Sequence, residues 1–374
     1  MRLLEFQAKQ VLAENGVAVP AGQLARSPAE AATACAELGP VAVKAQVPVG
    51  GRGKAGGIKL ASDPQQARAH AQQILGMSIA GYSVRSVYCE QALDIAQEIY
   101  LGFTVDRAAR SYILMLSASG GMDIEAVAAN TPEAIARLYP EPWRGPLDFE
   151  VRAMAFQCGL GHLAAPLGGV VASLYRALCQ SDAVTAEINP LVVTGQGALI
   201  AGDAKWEIDD NALSRHPELS SYAEEMEVDR FEAEAKRRNL TYVSLDGEIG
   251  VIGNGAGLCM NTLDLVKRSG GSAANFCDIG GGARASVVKD ALEVILMNPK
   301  VRGVLINVFG GITRCDEVAE GLIQARSDLN MTLPLVVRLT GTREQEGRAI
   351  LVEHGIEPGN DAVEAAAKIV SLTR

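Results

Sequence analysis

Three times between residues 249 and 311, a run of apolar, β-forming residues ends in glycines and gives way to a helical pattern. Ile249-Gly250-Val251-Ile252 leads into Gly253-Asn254-Gly255-Ala256-Gly257 and a helix from about Leu258. Residues 273–278 lead into the glycines at 280–282 and a helix from about Ala283. Residues 304–309 lead into Gly310-Gly311 and another helix, and residues 335–339 supply a fourth strand. Strands that turn through glycine into helices build a parallel α/β sheet, which binds ligands at the carboxyl ends of its strands. Helix N-termini at those ends attract anions through free N–H groups and the helix dipole. One such glycine turn need only be tight; three in one domain point to an anion site.

A second constraint lies upstream. Residues 187–193 and 198–205 are β-rich and joined by Thr194-Gly195-Gln196-Gly197, which is short and glycine-rich enough for a hairpin. With Gln196 at the turn centre, Asn189 faces Asp203 and Glu187 faces Lys205. All four side chains fall on one face, because strand side chains alternate. A carboxylate beside a carboxamide offers oxygen ligands to a hard cation such as Mg²⁺. The same residues also suit the solvated face of an ordinary hairpin, so the rest of the chain has to decide.

Composition narrows the partners. A net charge of −10 leaves no basic surplus to release counterions from nucleic acid. With 5% aromatics there is no stacking platform for single strands either. A small phosphorylated ligand needs only local positive charge. The seven cysteines are scattered without a C-x-x-C pair and read as buried thiols of a reducing compartment. No basic, apolar leader opens the sequence and no apolar run reaches about 18 residues, so a cytoplasmic protein without membrane contact is expected. The length predicts two or three domains.

The N-terminal half reads as α+β. Apolar positions predict a helix over residues 3–15 that stops at Gly16, and Ser27-Pro28-Ala29-Glu30 opens a second that ends near Gly39. Residues 40–45 form a strand ending in Lys44. Residues 46–57 follow, with five glycines and with Lys44, Arg52 and Lys54 in or beside them. Such a loop is either a flexible hairpin or a phosphate cradle, and the three cations favour the cradle. Strands are expected at 84–90, 98–106 and 111–117, a turn at 119–125, and helices at 132–138 and 149–180. Charged helical sequence at 223–240 marks the domain boundary.

Lys44, the loop at 50–54, Glu90, Glu98 and the pair Asn189/Asp203 resemble the ATP-grasp fold. More narrowly, five segments resemble the β subunits of succinyl-CoA synthetases, or succinate–CoA ligases: residues 5–9, 187–191, 253–257, 278–283 and 309–316. The motifs run in order from residue 3 to about 370. The resemblance implies an ATP-grasp domain over 1–235 and a flavodoxin-like, Rossmann-type CoA-ligase domain over 240–374. It implies nucleotide contacts at Lys44, Gly51, Arg52, Gly53, Glu90, Leu93 and Glu98, with Mg²⁺ on Asn189 and Asp203. Glu187 matches the glutamate that steadies a phosphohistidine. Asn254, Gly311, Ile312 and Thr313 match positions at the carboxylate substrate, and the helix after residues 280–282 matches one that points at the phosphohistidine.

In that family ATP/ADP or GTP/GDP and CoA are substrates. None of His70, His162, His216 and His354 sits in a glycine-rich loop. The resemblance therefore implies a separate α subunit carrying the phosphohistidine and the main CoA site. Pro20 matches ATP-preferring members, whereas Pro48 departs from the histidine frequent in the glycine loop. Thr313 stands where succinate-using members commonly have valine, and its hydroxyl suits a hydrogen bond to a substituted diacid. Malate–CoA ligase β subunits share nearly all these motifs, so malate stands beside succinate as the small dicarboxylate. More distant readings are a stand-alone ATP-grasp carboxylate–amine ligase, active without a partner, and a nucleotide-sensing subunit with a decayed site. The intact Lys44, Arg52, Asn189 and Asp203 argue against the sensor. Trp206 has no role in any of these readings.

Overall fold

The computed structural model describes residues 1–220, 222, 229–282 and 284–374. Part of the expected charged helix, residues 223–228, and Ala283 lie outside the described residues. The chain divides into two compact units, Met1–Glu227 and Val228–Arg374.

The first unit begins with α1 (Glu5–Glu14), whose entry is fixed by the Leu4 N–H donating to the Gln7 side chain at 2.9 Å. β1 (Gly22–Ala25), β2 (Val41–Ala45) and β3 (Ile58–Ala61) come next, then a two-stranded ribbon of β4 (Ser78–Ile79) and β5 (Tyr82–Ser83), then β6 (Val87–Gln91). They build an antiparallel sheet in the order β1-β6-β2-β3. α2 (Pro28–Leu38) and α3 (Pro64–Ile74) cover it over a core that includes Val43, Ala67 and Cys89. Ser27 caps α2 by accepting from the Glu30 N–H, with Pro28 at the first helical position. α3 was not expected, although Asp63-Pro64 carries the same signal: Asp63 accepts from the Gln65 and Gln66 N–H groups at 2.9 Å.

The larger sheet of this unit comprises β7 (Ile95–Asp106), β8 (Ser111–Ser117), β9 (Ile135–Leu138), β10 (Ala183–Thr194), β11 (Leu199–Ala201) and β12 (Ala204–Ile208). Its order is β11-β10-β7-β8-β9, with β12 also paired to β10. α4 (Ile124–Asn130), α5 (Asp148–Gln157), α6 (Ala164–Gln180) and the short α7 (Pro217–Ser220) complete the unit among the described residues. α1, α5 and α6 contribute to a core with Leu101, Leu116 and Ile188. Two expectations need correction. Residues 132–138 are not a helix: after one 3₁₀ turn, β9 pairs antiparallel with β8, so the strand partner overrides local propensity. The expected helix at 149–180 is two helices, broken where Gly159 takes φ +73°.

The hairpin has the register read from the sequence. Glu187 pairs with Lys205, Ile188 with Ala204 and Leu191 with Ala201. Thr194 N–H donates to the Ala198 carbonyl at 2.9 Å across the turn. Trp206, on β12, is fully buried in the core, and its indole N–H donates to Ser181 Oγ at 3.1 Å. Its role is packing.

The second unit runs α8 (Arg230–Arg237), β13 (Thr241–Ser244), β14 (Ile249–Gly253), α9 (Ala256–Arg268), β15 (Asn275–Asp278), α10 (Ala285–Leu296), β16 (Gly303–Gly310), α11 (Cys315–Asp328), β17 (Leu335–Gly341), α12 (Glu344–Glu353) and α13 (Ala362–Thr373). The sheet order is β13-β15-β14-β16-β17, parallel except for the edge strand β13. Its parallel strands follow the flavodoxin-like order 2-1-3-4. Apolar cores lie on both faces, as a doubly wound sheet requires. The whole of α8 belongs here, so the expected boundary at 235–240 moves upstream. Ala235 joins this core, and just past the helix Arg238 pairs with Asp290 at 3.0 Å and with Glu293. Among the described residues, no helix is long and apolar enough to cross a membrane.

Candidate functional site

A cavity of about 690 Å³ opens in the first unit between the glycine loop, the hairpin and residues 121–125. Gly51, Arg52, Gly53, Glu98, Glu187, Asn189 and Asp203 all line it. Residues 150 positions apart in sequence thus meet at one surface. Lys44 and Glu90 do not line the cavity; they lie behind it, buried. Leu93 sits on the connection from β6 to β7, away from these walls.

Behind the glycine loop is an ion-pair network of three carboxylates and three cations. Glu5 Oε1 lies 3.0 Å from both Lys9 Nζ and Lys44 Nζ, and its Oε2 lies 2.6 Å from Arg52 Nη1. Glu90 pairs with both Lys9 and Lys44. Arg52 Nη2 forks onto Asp203, at 2.7 Å to Oδ1 and 2.8 Å to Oδ2. Lys9 and Lys44 also donate to the Gly202 carbonyl, at 2.8 and 2.7 Å. Asp203 alone has a substantial share of its side chain, 30%, in solvent.

Burial alone would raise the Glu5 carboxyl, but Arg52, Lys44 and Lys9 outweigh it and hold Glu5 well below the usual carboxylate range. Burial opposes the charge on Lys44 and Arg52 as well. Glu5 with Glu90 and Asp203 overcomes that at Lys44, and Glu5 with Asp203 does so at Arg52, so both are shifted upward and stay charged. Glu90 is raised by its burial, against the pull of Lys44 and Lys9. An unbalanced charge in such a place would be costly; three against three is tolerable.

On the opposite wall, Asn189 is held by both ends of its carboxamide. Its Oδ1 accepts from the Gly121 N–H and its Nδ2 donates to the Met122 carbonyl, each at 2.8 Å. The hairpin thereby fixes the loop that carries Asp123 and Glu125 into the cavity. Gly121 has φ +69°, and a Cβ there would stand 2.5 Å from Glu98 Oε2, so the loop lies tight on Glu98. Glu187 lies 3.8 Å from Lys205; burial raises its carboxyl, opposed by Lys205 and assisted by Glu125.

Asp203 and Asn189 present hard oxygen ligands side by side, and a guanidinium already forks onto Asp203. The position therefore suits a cation. Among the described residues no group of three or more His, Cys, Asp or Glu encloses a metal. That pattern suits Mg²⁺, which keeps waters and phosphate oxygens in its shell, better than an ion caged by protein.

In the second unit the loops at the carboxyl ends of the strands meet. Asn254 spans residues 309–313: its Oδ1 accepts from the Phe309 N–H at 2.8 Å, and its Nδ2 donates to the Phe309 carbonyl at 2.9 Å and to Thr313 Oγ1 at 3.2 Å. Thr313 is fully buried, and its hydroxyl also accepts from the Gly282 N–H at 2.9 Å. Asp278 accepts from the Gly255 and Gly280 N–H groups at 2.6 and 2.7 Å. The side chains of Asn254 and Thr313 thus tie loops together, while Gly311 is exposed and Ile312 is 85% exposed.

Sequence reasoning gave no role to Glu5, Lys9 or residues 121–125. Glu5 and Lys9 are one helical turn apart on α1, an arrangement that reads as a solvated i,i+4 pair until the β-sheet behind it is known.

Comparison with known proteins bears on what this arrangement serves. Residues 2–193 match the ATP-grasp domain model, and residues 252–370 match the CoA-ligase model. The β subunit of the GDP-forming succinate–CoA ligase of Thermus thermophilus is 51% identical over 373 residues, covering 100% of this chain and 99% of that one. The β subunit of the ADP-forming succinate–CoA ligase of Roseiflexus sp. (strain RS-1) is 48% identical, covering 100% of both. The chain belongs to the succinate–CoA ligase β-subunit family. An ATP citrate lyase from Methanothrix soehngenii, solved with citrate and coenzyme A, shares the fold with a TM-score of 0.74 at 17% identity, over 99% of each chain. The family places an ATP-grasp domain before a CoA-ligase domain, the order seen in the two units. This makes the chain part of a nucleotide-dependent acid–thiol ligase.

Proposed function

We propose that the chain is the nucleotide-binding β subunit of a cytoplasmic ligase that interconverts succinate plus CoA and succinyl-CoA, at the expense or gain of a nucleoside triphosphate. An α subunit would carry the phosphohistidine and the main CoA site. The observation that carries this reading is the convergence of Arg52, Glu187, Asn189 and Asp203 with the glycine loop on one cavity. Relatives similar along the whole chain are named for succinate, and none of the geometry favours malate: Thr313 spends its hydroxyl on Gly282 and Asn254. ATP is the preferred nucleotide on the strength of Pro20. The similarity of a GDP-forming relative leaves the base to be tested directly.

Asn189 and Asp203 would hold Mg²⁺, which when bound neutralises charge on the phosphate oxygens. The chain's own residues do the rest. Backbone N–H groups of residues 51–53 cradle phosphate oxygens, and Arg52, freed from Asp203, supplies a fixed positive charge. Lys44 raises the potential from behind without touching the cavity. Glu187 faces the end of the cavity beside Lys205 and would orient the imidazole that receives the phosphoryl group. Asn254 and Thr313 would hold the loop whose Gly311 and Ile312 N–H groups take the substrate carboxylate.

The test is nucleotide binding and phosphoryl transfer with Asp203→Ala. Wild-type chain should bind MgADP and phosphorylate its partner, and the variant should lose the Mg²⁺-dependent part of both. Unchanged Mg²⁺ dependence in the variant would remove Asp203 from the metal site.

A further inference from the structure

The network behind the cavity has one member that reaches both cations of the glycine-loop region. Glu5 holds Lys44 through one oxygen and Arg52 through the other. Its side chain is 1% exposed and does not reach solvent. Arg52 divides its two arms: Nη1 goes to Glu5 and the Ala45 carbonyl, and Nη2 goes to Asp203. The inner anchor is buried and satisfied. The outer arm is held only by the carboxylate that lines the cavity.

We propose that Glu5 is a positioning residue of the nucleotide site. It pins one arm of Arg52 so that the other exchanges between Asp203 and a polyphosphate at a fixed place. This rests on the nucleotide-binding reading above and extends it. When a divalent cation engages Asp203, the fork on Nη2 loses its partner. Without Glu5 the freed guanidinium would swing on a long, flexible side chain, and ordering it would cost about 2 kcal/mol of rotamer entropy. With Glu5 it is already ordered and faces the phosphates. Lys44 is fixed by the same carboxylate, so the two positive groups keep their spacing. Lys9 has a different task, since it touches only Glu5, Glu90 and the Gly202 carbonyl and balances charge.

That division gives a test which separates positioning from charge balance. Glu5→Gln leaves three cations against two carboxylates, and this variant is expected to melt well below the wild type. The double variant Glu5→Gln/Lys9→Met restores two against two, and its melting temperature should recover most of the loss. ADP affinity of the full-length chain is then measured calorimetrically with and without MgCl₂. If Glu5 positions Arg52, the double variant binds MgADP about tenfold or more weakly than wild type, the scale of losses when an orienting partner is removed. The gain in affinity on adding Mg²⁺ shrinks with it. If the double variant binds ADP as wild type does in both conditions, Glu5 only balances charge and the proposal is overturned. A wild-type chain that ignores ADP would overturn the nucleotide site itself, and the role of Glu5 with it.

Discussion

Replacing Thr313 with valine keeps the outline of a fully buried side chain and removes one hydroxyl. No cavity opens, so the change is almost wholly in hydrogen bonding. Two donors lose an acceptor: the Gly282 N–H at 2.9 Å and Asn254 Nδ2 at 3.2 Å. Asn254 keeps the Phe309 carbonyl at 2.9 Å, and Gly282 is exposed, so water can take the place of the threonine. A net loss of about 0.5–1.5 kcal/mol follows. That is a fall of roughly 2–4 °C in melting temperature per kcal/mol for a unit of this size. In the assembled enzyme, Thr313 as a tie between loops affects every dicarboxylate alike. Thioester formation assayed with succinate and with malate should therefore decline by the same factor, and the ratio of their kcat/KM values should stay within about threefold of wild type. A change of tenfold in that ratio, about 1.4 kcal/mol of discrimination, would mean that the hydroxyl touches the substrate and would refute the reasoning.

Other expectations follow from the same geometry. Trp206→Phe removes the indole bond to Ser181 and leaves a gap in the main core; denaturant unfolding should show a loss of about 2–3 kcal/mol with MgADP affinity unchanged. Gly120→Ala would put a Cβ 2.5 Å from the Ile99 backbone nitrogen, and should lower stability by about 1–3 kcal/mol in the same experiment. The Glu5 carboxyl is held well below 4.5, so its contribution to stability is present above that pH and is lost as the pH falls through its folded value. Denaturant midpoints measured from pH 6 to pH 3 should fall more steeply at the acid end for wild type than for Glu5→Gln. Parallel slopes would contradict the depressed carboxyl.

How much of this was legible in the sequence depends on the range of the interactions. The hairpin register followed from four turn residues, and with it the meeting of Asn189 with Asp203 and of Glu187 with Lys205, because a short turn fixes everything that pairs beyond it. The second unit was legible for a similar reason, since each strand, glycine turn and helix is a local unit. β9 was misread because its four residues become a strand only by pairing with β8, about 20 residues upstream. The ion-pair network was the least legible part. Glu5 meets Lys44 and Arg52 across about 40 residues of chain, and Arg52 meets Asp203 across 151. Nothing in the local pattern around any of them shows a buried partner. Trp206 looked anomalous next to the polar Lys205, and alternation resolves it: one side chain faces the cavity and the next fills the core.

The central claim is that this chain hands a phosphoryl group from a nucleotide to a histidine it does not possess. The direct measurement is to purify the chain with whatever copurifies and incubate the complex with γ-labelled ATP and Mg²⁺. The labelled residue is then identified after rapid quenching at alkaline pH. The account predicts acid-labile label on a histidine of the partner chain, and none when Asp203→Ala replaces the wild type. Label retained on this chain, or carboxylate activation by this chain with no partner present, would contradict it.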